Sequence, residues 1–264
     1  MKSALIRPVL GAFTLAAAVL AAGCVSVSSL PQQPPSELAT DSNRAAIRLE
    51  LATAYFQRGE NAIALQEVDK SIAYSSREPQ AHNLRGLILA AMGRTAEASQ
   101  AFERALALKP GAGDILNNYG WFLCQTGQRE AAQQRFAQAL SDPQYREPVR
   151  TWLASGECYA RSQQWDAAQA ALNRASLLQP DNPQVIYTQA SVQLARGDAA
   201  QALAHVRQLN ANPDWVNAQS LWLEIRILVR LGRRDEARRL GQTLNERFPG
   251  SVQASRYERN LFDE

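Results

Sequence analysis

The chain has 264 residues, with 28 Lys and Arg against 25 Asp and Glu, and a formal net charge of +3. Two of those cations, Lys2 and Arg7, sit in a leader-like start that holds no acid, so the remainder carries 3 − 2 = +1. That near-neutral balance argues against nucleic acid as a partner. The two histidines, His82 and His205, have no Cys or carboxylate at metal-ligand spacing, so no metal site is expected.

Residues 1–23 read as a secretory signal. Lys2 and Arg7 make a basic start, and the apolar run Val9–Ala22 is shorter than the roughly 20 residues of a spanning helix. Leu20-Ala21-Ala22-Gly23-Cys24 resembles the lipobox of bacterial lipoproteins, although the favoured Leu stands four before the Cys rather than three. The resemblance implies cleavage before Cys24 and acylation of its thiol and amine, and Val25 after it implies the outer membrane. Three acyl chains hold far more firmly than the single chain that gives only marginal binding. Residues 24–44 then read as the lipidated Cys and a Pro/Ser/Gln-rich tether, with Asp41 or Ser42 as the N-cap of the first helix.

From Ala45 onward the sequence repeats with a period of about 34 residues, the length of a tetratricopeptide helical hairpin. The units are 45–78, 79–112, 113–146, 149–182, 183–216 and 218–251, with Glu147-Pro148 and Asn217 as surplus between them. The unit 113–146 shows the logic. Tyr119, Gly120 and Leu123 share one face of the first helix, and Ala132, Phe136 and Ala139 share one face of the second. A small residue opposite a large one lets the two axes approach closely. Glycine recurs at position 15 of a unit (Gly59, Gly93, Gly127, Gly197, Gly232), where the turn favours positive φ. Proline near position 32 ends the second helix. Residues 252–264 form a capping helix over the last unit. The expected fold is all-α, a right-handed superhelix of six tetratricopeptide hairpins with a C-terminal cap.

NNYGWFLCQTGQREAAQQRFAQAL (117–140), followed by DPQYREP and GECYA, resembles the type IV pilus biogenesis lipoproteins of the PilF/PilW type, outer-membrane pilotins with six such repeats behind a lipobox. The resemblance spans the chain after the signal. It implies a lipid-anchored protein facing the periplasm that binds the pilus secretin and promotes its localisation and multimerisation. The rival reading is a scaffold lipoprotein for another envelope machine, in barrel assembly or peptidoglycan synthesis.

No catalytic constellation, phosphate loop or nucleophile elbow is present, so no enzyme, cofactor or small-molecule substrate is expected. Binding is expected in the groove lined by the first helices. Its candidate residues are Leu49, Phe56, Asn83, Leu87, Asn117, Trp121, Leu153, Tyr187, Leu194 and Trp222, with Phe56, Leu87 and Trp121 expected to form one apolar strip. Some of these are expected to be inter-repeat core instead. The arginines of the last unit (Arg226, Arg230, Arg233, Arg234, Arg238, Arg239) read as a solvated face or a docking patch. Cys124 and Cys158 lie on adjacent first helices, and export would place them where disulfides persist. They are expected to be bonded, or to be two buried thiols, depending on the relative height of the two helices.

Overall fold

The computed structural model describes residues 37–262, which form thirteen helices and no strand. The signal, Cys24 and the tether up to residue 36 lie outside the described residues. Six hairpins follow one another. They are α1 (Glu37–Gln57) with α2 (Asn61–Tyr74), α3 (Pro79–Ala91) with α4 (Thr95–Leu108), and α5 (Gly113–Gln125) with α6 (Arg129–Ser141). Then come α7 (Pro148–Arg161) with α8 (Trp165–Leu178), α9 (Pro183–Arg196) with α10 (Ala199–Asn210), and α11 (Ala218–Arg230) with α12 (Arg234–Arg247). The short α13 (Val252–Glu258) closes the stack.

The first helix starts earlier than its repeat. Residues 37–44, assigned above to the tether, are helical, so Asp41 and Ser42 lie inside α1 rather than at its cap. Between Pro35 and Ala45 the sequence holds no glycine or proline to stop a helix. Asp41 instead accepts an ion pair from Arg44 one turn on, at 3.2 Å. The first hairpin is tied by Glu67 of α2, a buried carboxylate bridging Arg48 and Lys70 at 2.7 Å each, and by the Ser71 hydroxyl donating to the Ala45 carbonyl.

In the second, third and fourth hairpins the close approach is set by a missing Cβ, at Gly86, Gly120 and Gly156, whereas the first and fifth carry Ala52 and Ala190 there. At Gly120, an added Cβ would lie 2.7 Å from the Phe136 ring and 3.2 Å from the Ala132 carbonyl, so α5 and α6 touch with no room for a methyl group. Phe136 is thereby fully buried, and the neighbouring aromatics Phe102, Tyr119 and Phe122 stack at 5.3–6.1 Å around the same core. In the last hairpin the arrangement is inverted, with Ile225 where the other units carry a small residue and Gly241 where they carry a large one. The gap over Gly241 is filled by Tyr257 of α13, whose ring would collide with any Cβ there. This is how the cap docks.

The irregular joints have local causes. Tyr145, in the segment between α6 and α7, lies over Gly113 and shares a 2.9 Å hydrogen bond with the Thr151 hydroxyl. The surplus Asn217 builds a capping box with Ser220, each side chain accepting from the other's backbone N–H at 3.0 and 3.1 Å. The fourth hairpin turns at Gln163, held at φ +57° where the other units carry glycine.

First helices of neighbouring hairpins touch one another (α1–α3, α3–α5, α5–α7, α7–α9, α9–α11), whereas second helices do not. Contact along only one side bends the stack toward the first helices. Their shared face is therefore the inside of the superhelix.

A candidate protein-binding groove

The groove is lined from positions 5 and 9 of successive repeats, four residues apart and therefore on one side of each first helix. Leu87 of α3, Asn117 and Trp121 of α5, and Leu153 and Glu157 of α7 wall a cavity of about 800 Å3, with Arg146, Arg150 and Gln184 at its margin. A second cavity of about 330 Å3 shares Glu157 and continues past Arg161, Tyr187 and Thr188. A third, of about 310 Å3, shares Ser191 and Ala195 with the second and is bounded by Leu194, Arg226, Val229 and Phe262. The three adjoin one another through these shared wall residues and follow the first helices from the second hairpin to the last.

Neighbouring first helices are joined across the groove floor by a ladder of polar side chains. Gln80 donates to Asp114 at 2.7 Å, and Asn118 donates to Asn83 at 3.2 Å. Arg150 donates to Asn118 at 2.8 Å, Thr151 to Asn117 at 2.9 Å, and Thr188 to Glu157 at 3.4 Å. Because one unpartnered buried polar group costs about 1–3 kcal/mol, these pairs fix the register of one repeat on the next.

The candidate residues divide accordingly. Leu87, Asn117, Trp121, Leu153, Tyr187 and Leu194 line the path. Asn83 is buried and engaged with Asn118 and Gln80, so it ties helices rather than presenting a hydrogen bond to a ligand. Leu49 and Phe56 pack into the core of the first two hairpins, and Phe56 lines none of the three cavities. The apolar strip is thus Leu87 with Trp121 and Leu153, shifted one repeat from the expected one. Trp222 is not open groove either. It is 5% exposed, because the C-terminal segment lays Phe262 on its ring at 5.6 Å.

Glu157 is a groove residue that a reading confined to apolar and Asn side chains leaves out. Its position 9, shared with Leu87 and Trp121, was the available signal. Burial pushes its carboxyl above the usual range, opposed by the Thr188 hydrogen bond and the charge of Arg161. Arg161 itself lies over the Trp121 ring at 5.6 Å.

Behind the groove, Cys124 and Cys158 are bonded, with Cα atoms 5.8 Å apart. They are buried in the core shared by the second, third and fourth hairpins. The arginines at the start of α12 and along it form a solvated face: Arg233, the N-cap, pairs with Glu236 at 2.5 Å and Arg238 with Asp235 at 3.6 Å, and Glu236 also takes Arg207 of α10 at 2.8 Å. His82 is bonded to the Ser76 carbonyl, and burial holds His205 below the usual histidine range. Among the described residues no group of three or more ligating side chains could hold a metal, and no helix is long and apolar enough to cross a membrane.

Stacked helical hairpins with a first-helix groove, a small residue facing a large one, and a turn at positive φ define a tetratricopeptide-repeat protein, and this chain belongs to that family. Tetratricopeptide-repeat models match residues 49–113 and 89–146. Within the family its homologues are type IV pilus biogenesis proteins. The type IV pilus assembly protein PilF of Pseudomonas aeruginosa is 27% identical over 239 residues, 89% of this chain and 92% of that protein. The crystal structure of PilW, a widely conserved type IV pilus biogenesis factor, superposes with a TM-score of 0.70 at 26% identity, covering 81% of this chain and 97% of that one. An uncharacterized protein of Haemophilus influenzae is 30% identical over 130 residues, 49% of this chain and 73% of that protein.

Proposed function

We propose that this protein is a non-enzymatic assembly factor of the type IV pilus, anchored in the outer membrane through acylated Cys24 and facing the periplasm. There it binds the pilus secretin and promotes its multimerisation. The observation that carries this reading is a groove with an apolar stretch at Leu87, Trp121 and Leu153, in a chain similar to PilF over nearly its whole length. A groove of this form suits a segment of another protein, extended or helical, more than a small molecule.

The test is a double substitution, Leu87→Ala with Trp121→Ala, assayed for secretin multimers in outer-membrane fractions. Aromatic anchors at such sites cost about 2 kcal/mol or more on truncation, so multimers should be lost while helical content is kept. Charge reversal at Arg233 and Arg234 should leave them intact. Multimers lost in the arginine variant but kept in the groove variant would move the binding face to α12. Loss of general envelope integrity with normal secretin would favour the rival envelope scaffold. For the anchor, Cys24→Ser should leave the signal uncleaved and remove the protein from outer-membrane fractions.

A further inference from the structure

The C-terminal segment shows what the last stretch of the groove can hold. After α13 the chain turns at Asn260, with φ +55°, and returns to α11. Phe262 then lays its ring on Trp222, 5.6 Å between centroids and 25° between planes, with Tyr257 meeting it edge-on at 6.3 Å. The Nε of Arg226 donates to the Phe262 carbonyl at 2.9 Å. These contacts use one aromatic side chain and one backbone carbonyl, features that any peptide with an aromatic residue supplies.

Three further observations bear on that seat. Phe262 leaves a neighbouring space of about 310 Å3 unfilled, walled by Leu194, Val229 and Arg230. The indole N–H of Trp222 is buried with no hydrogen-bond partner among the described residues, a donor that an incoming carbonyl could meet. And the path from Leu87 and Trp121 runs through Glu157 and Ser191 straight to Phe262. A partner segment laid along the groove therefore meets the chain's own C-terminus.

We propose that the last-hairpin end of the groove is a peptide subsite for an aromatic residue, closed by the chain's own Phe262 and opened when a partner segment brings an aromatic side chain to replace it. The subsite rests on the groove reading above for its partner, not for its existence. A terminal segment held by so few contacts belongs to the low-stability end of the structure, where displacement is easiest. If Phe262 fills the seat in about nine of ten molecules, a partner's apparent affinity falls about tenfold.

The probe is a labelled peptide of residues 258–264, ERNLFDE, added to the chain truncated after Asn260. The truncated chain should bind it, the full chain should not, and a peptide with Ala in place of Phe should bind neither. Separately, the truncated chain and the full-length Phe262→Ala variant, whose α13 is untouched, should bind the periplasmic part of the secretin about tenfold more tightly than the wild type. No peptide binding by the truncated chain overturns the subsite. Unchanged or weaker secretin binding in both variants overturns the gate. A full-length dimer that forms by exchanging C-terminal segments would assign the seat to a second copy and overturn the proposal too. If Leu87→Ala with Trp121→Ala keeps full secretin affinity, the groove reading falls, while the peptide assay still decides the subsite.

Discussion

The bond between Cys124 and Cys158 joins α5 to α7 at the joint where the repeat spacing is broken by Glu147-Pro148. It closes a loop with a sequence separation of 34. In the chain-entropy account, a loop of that length restricts the unfolded chain by about 4 kcal/mol at 25 °C. For a chain of this size each kcal/mol moves the melting temperature by roughly 2–4 °C, so reduction should lower it by roughly 8–16 °C. The cleanest comparison is oxidised against reduced wild type, because the two differ only in the bond. Cys124→Ala with Cys158→Ala is the second arm, and adds a small packing loss because both residues are buried. Guanidinium titrations followed by circular dichroism give the difference, provided the slope with denaturant is the same in both forms. A repeat array can unfold in stages, so amide exchange on α5 and α7 should report the loosening at that joint first. A loss below about 1 kcal/mol would refute the argument that the staple restrains the unfolded chain. Two free thiols titrated in unreduced, denatured protein would remove the bond itself.

Three other outcomes are expected. Gly120→Ala places a methyl group 2.7 Å from the Phe136 ring and should destabilise by about 1–3 kcal/mol in denaturant titration, with Phe136→Leu in the same chain recovering part of it. Gln163→Gly relieves a left-handed residue at an exposed turn. The strain of about 1–2 kcal/mol outweighs the greater freedom of an unfolded glycine, about 0.5–1 kcal/mol, so the variant should melt higher. Glu157→Gln should be more stable than the wild type at pH 7, since burial raises the folded carboxyl above its unfolded value and disfavours the charged form. That group's contribution is full below the unfolded value of about 4.3 and is lost as pH rises through the folded one, so the variants should converge below about pH 4. A Glu157→Gln variant less stable at pH 7 would mean that the Thr188 hydrogen bond and the Arg161 charge outweigh the cost of burial.

Much of the architecture was legible because each hairpin is a local object. Turn, proline stop and the facing pair Gly120–Phe136 all lie within one unit, so spacing alone assigns them. The same periodicity places Leu87, Trp121 and Leu153 on the inner face, and Glu157 with them, since it shares the repeat position of Leu87 and Trp121. What the spacing leaves open is what one unit does to the next. Asn83 and Asn117 occupy the same repeat position as Leu153, yet both are drawn into bonds with the following helix, because a buried amide must find a partner wherever the neighbouring repeat offers one.

The first-helix faces, the turns and the groove side of each hairpin were determined by the sequence itself, through residues within a single repeat. Tertiary structure alone decided three things. The start of α1 at Glu37 depends on no stop signal but on whether the chain ahead of the first repeat continues its helix. The Cys124–Cys158 bond depends on the relative height of α5 and α7 across a two-residue surplus. The closure of the groove by Phe262 depends on where the chain goes after α13, a turn at Asn260 that brings residues 40 positions apart into stacking contact. The bond and the closure are contacts between separate helical segments, and how those segments sit against each other is set by packing in three dimensions.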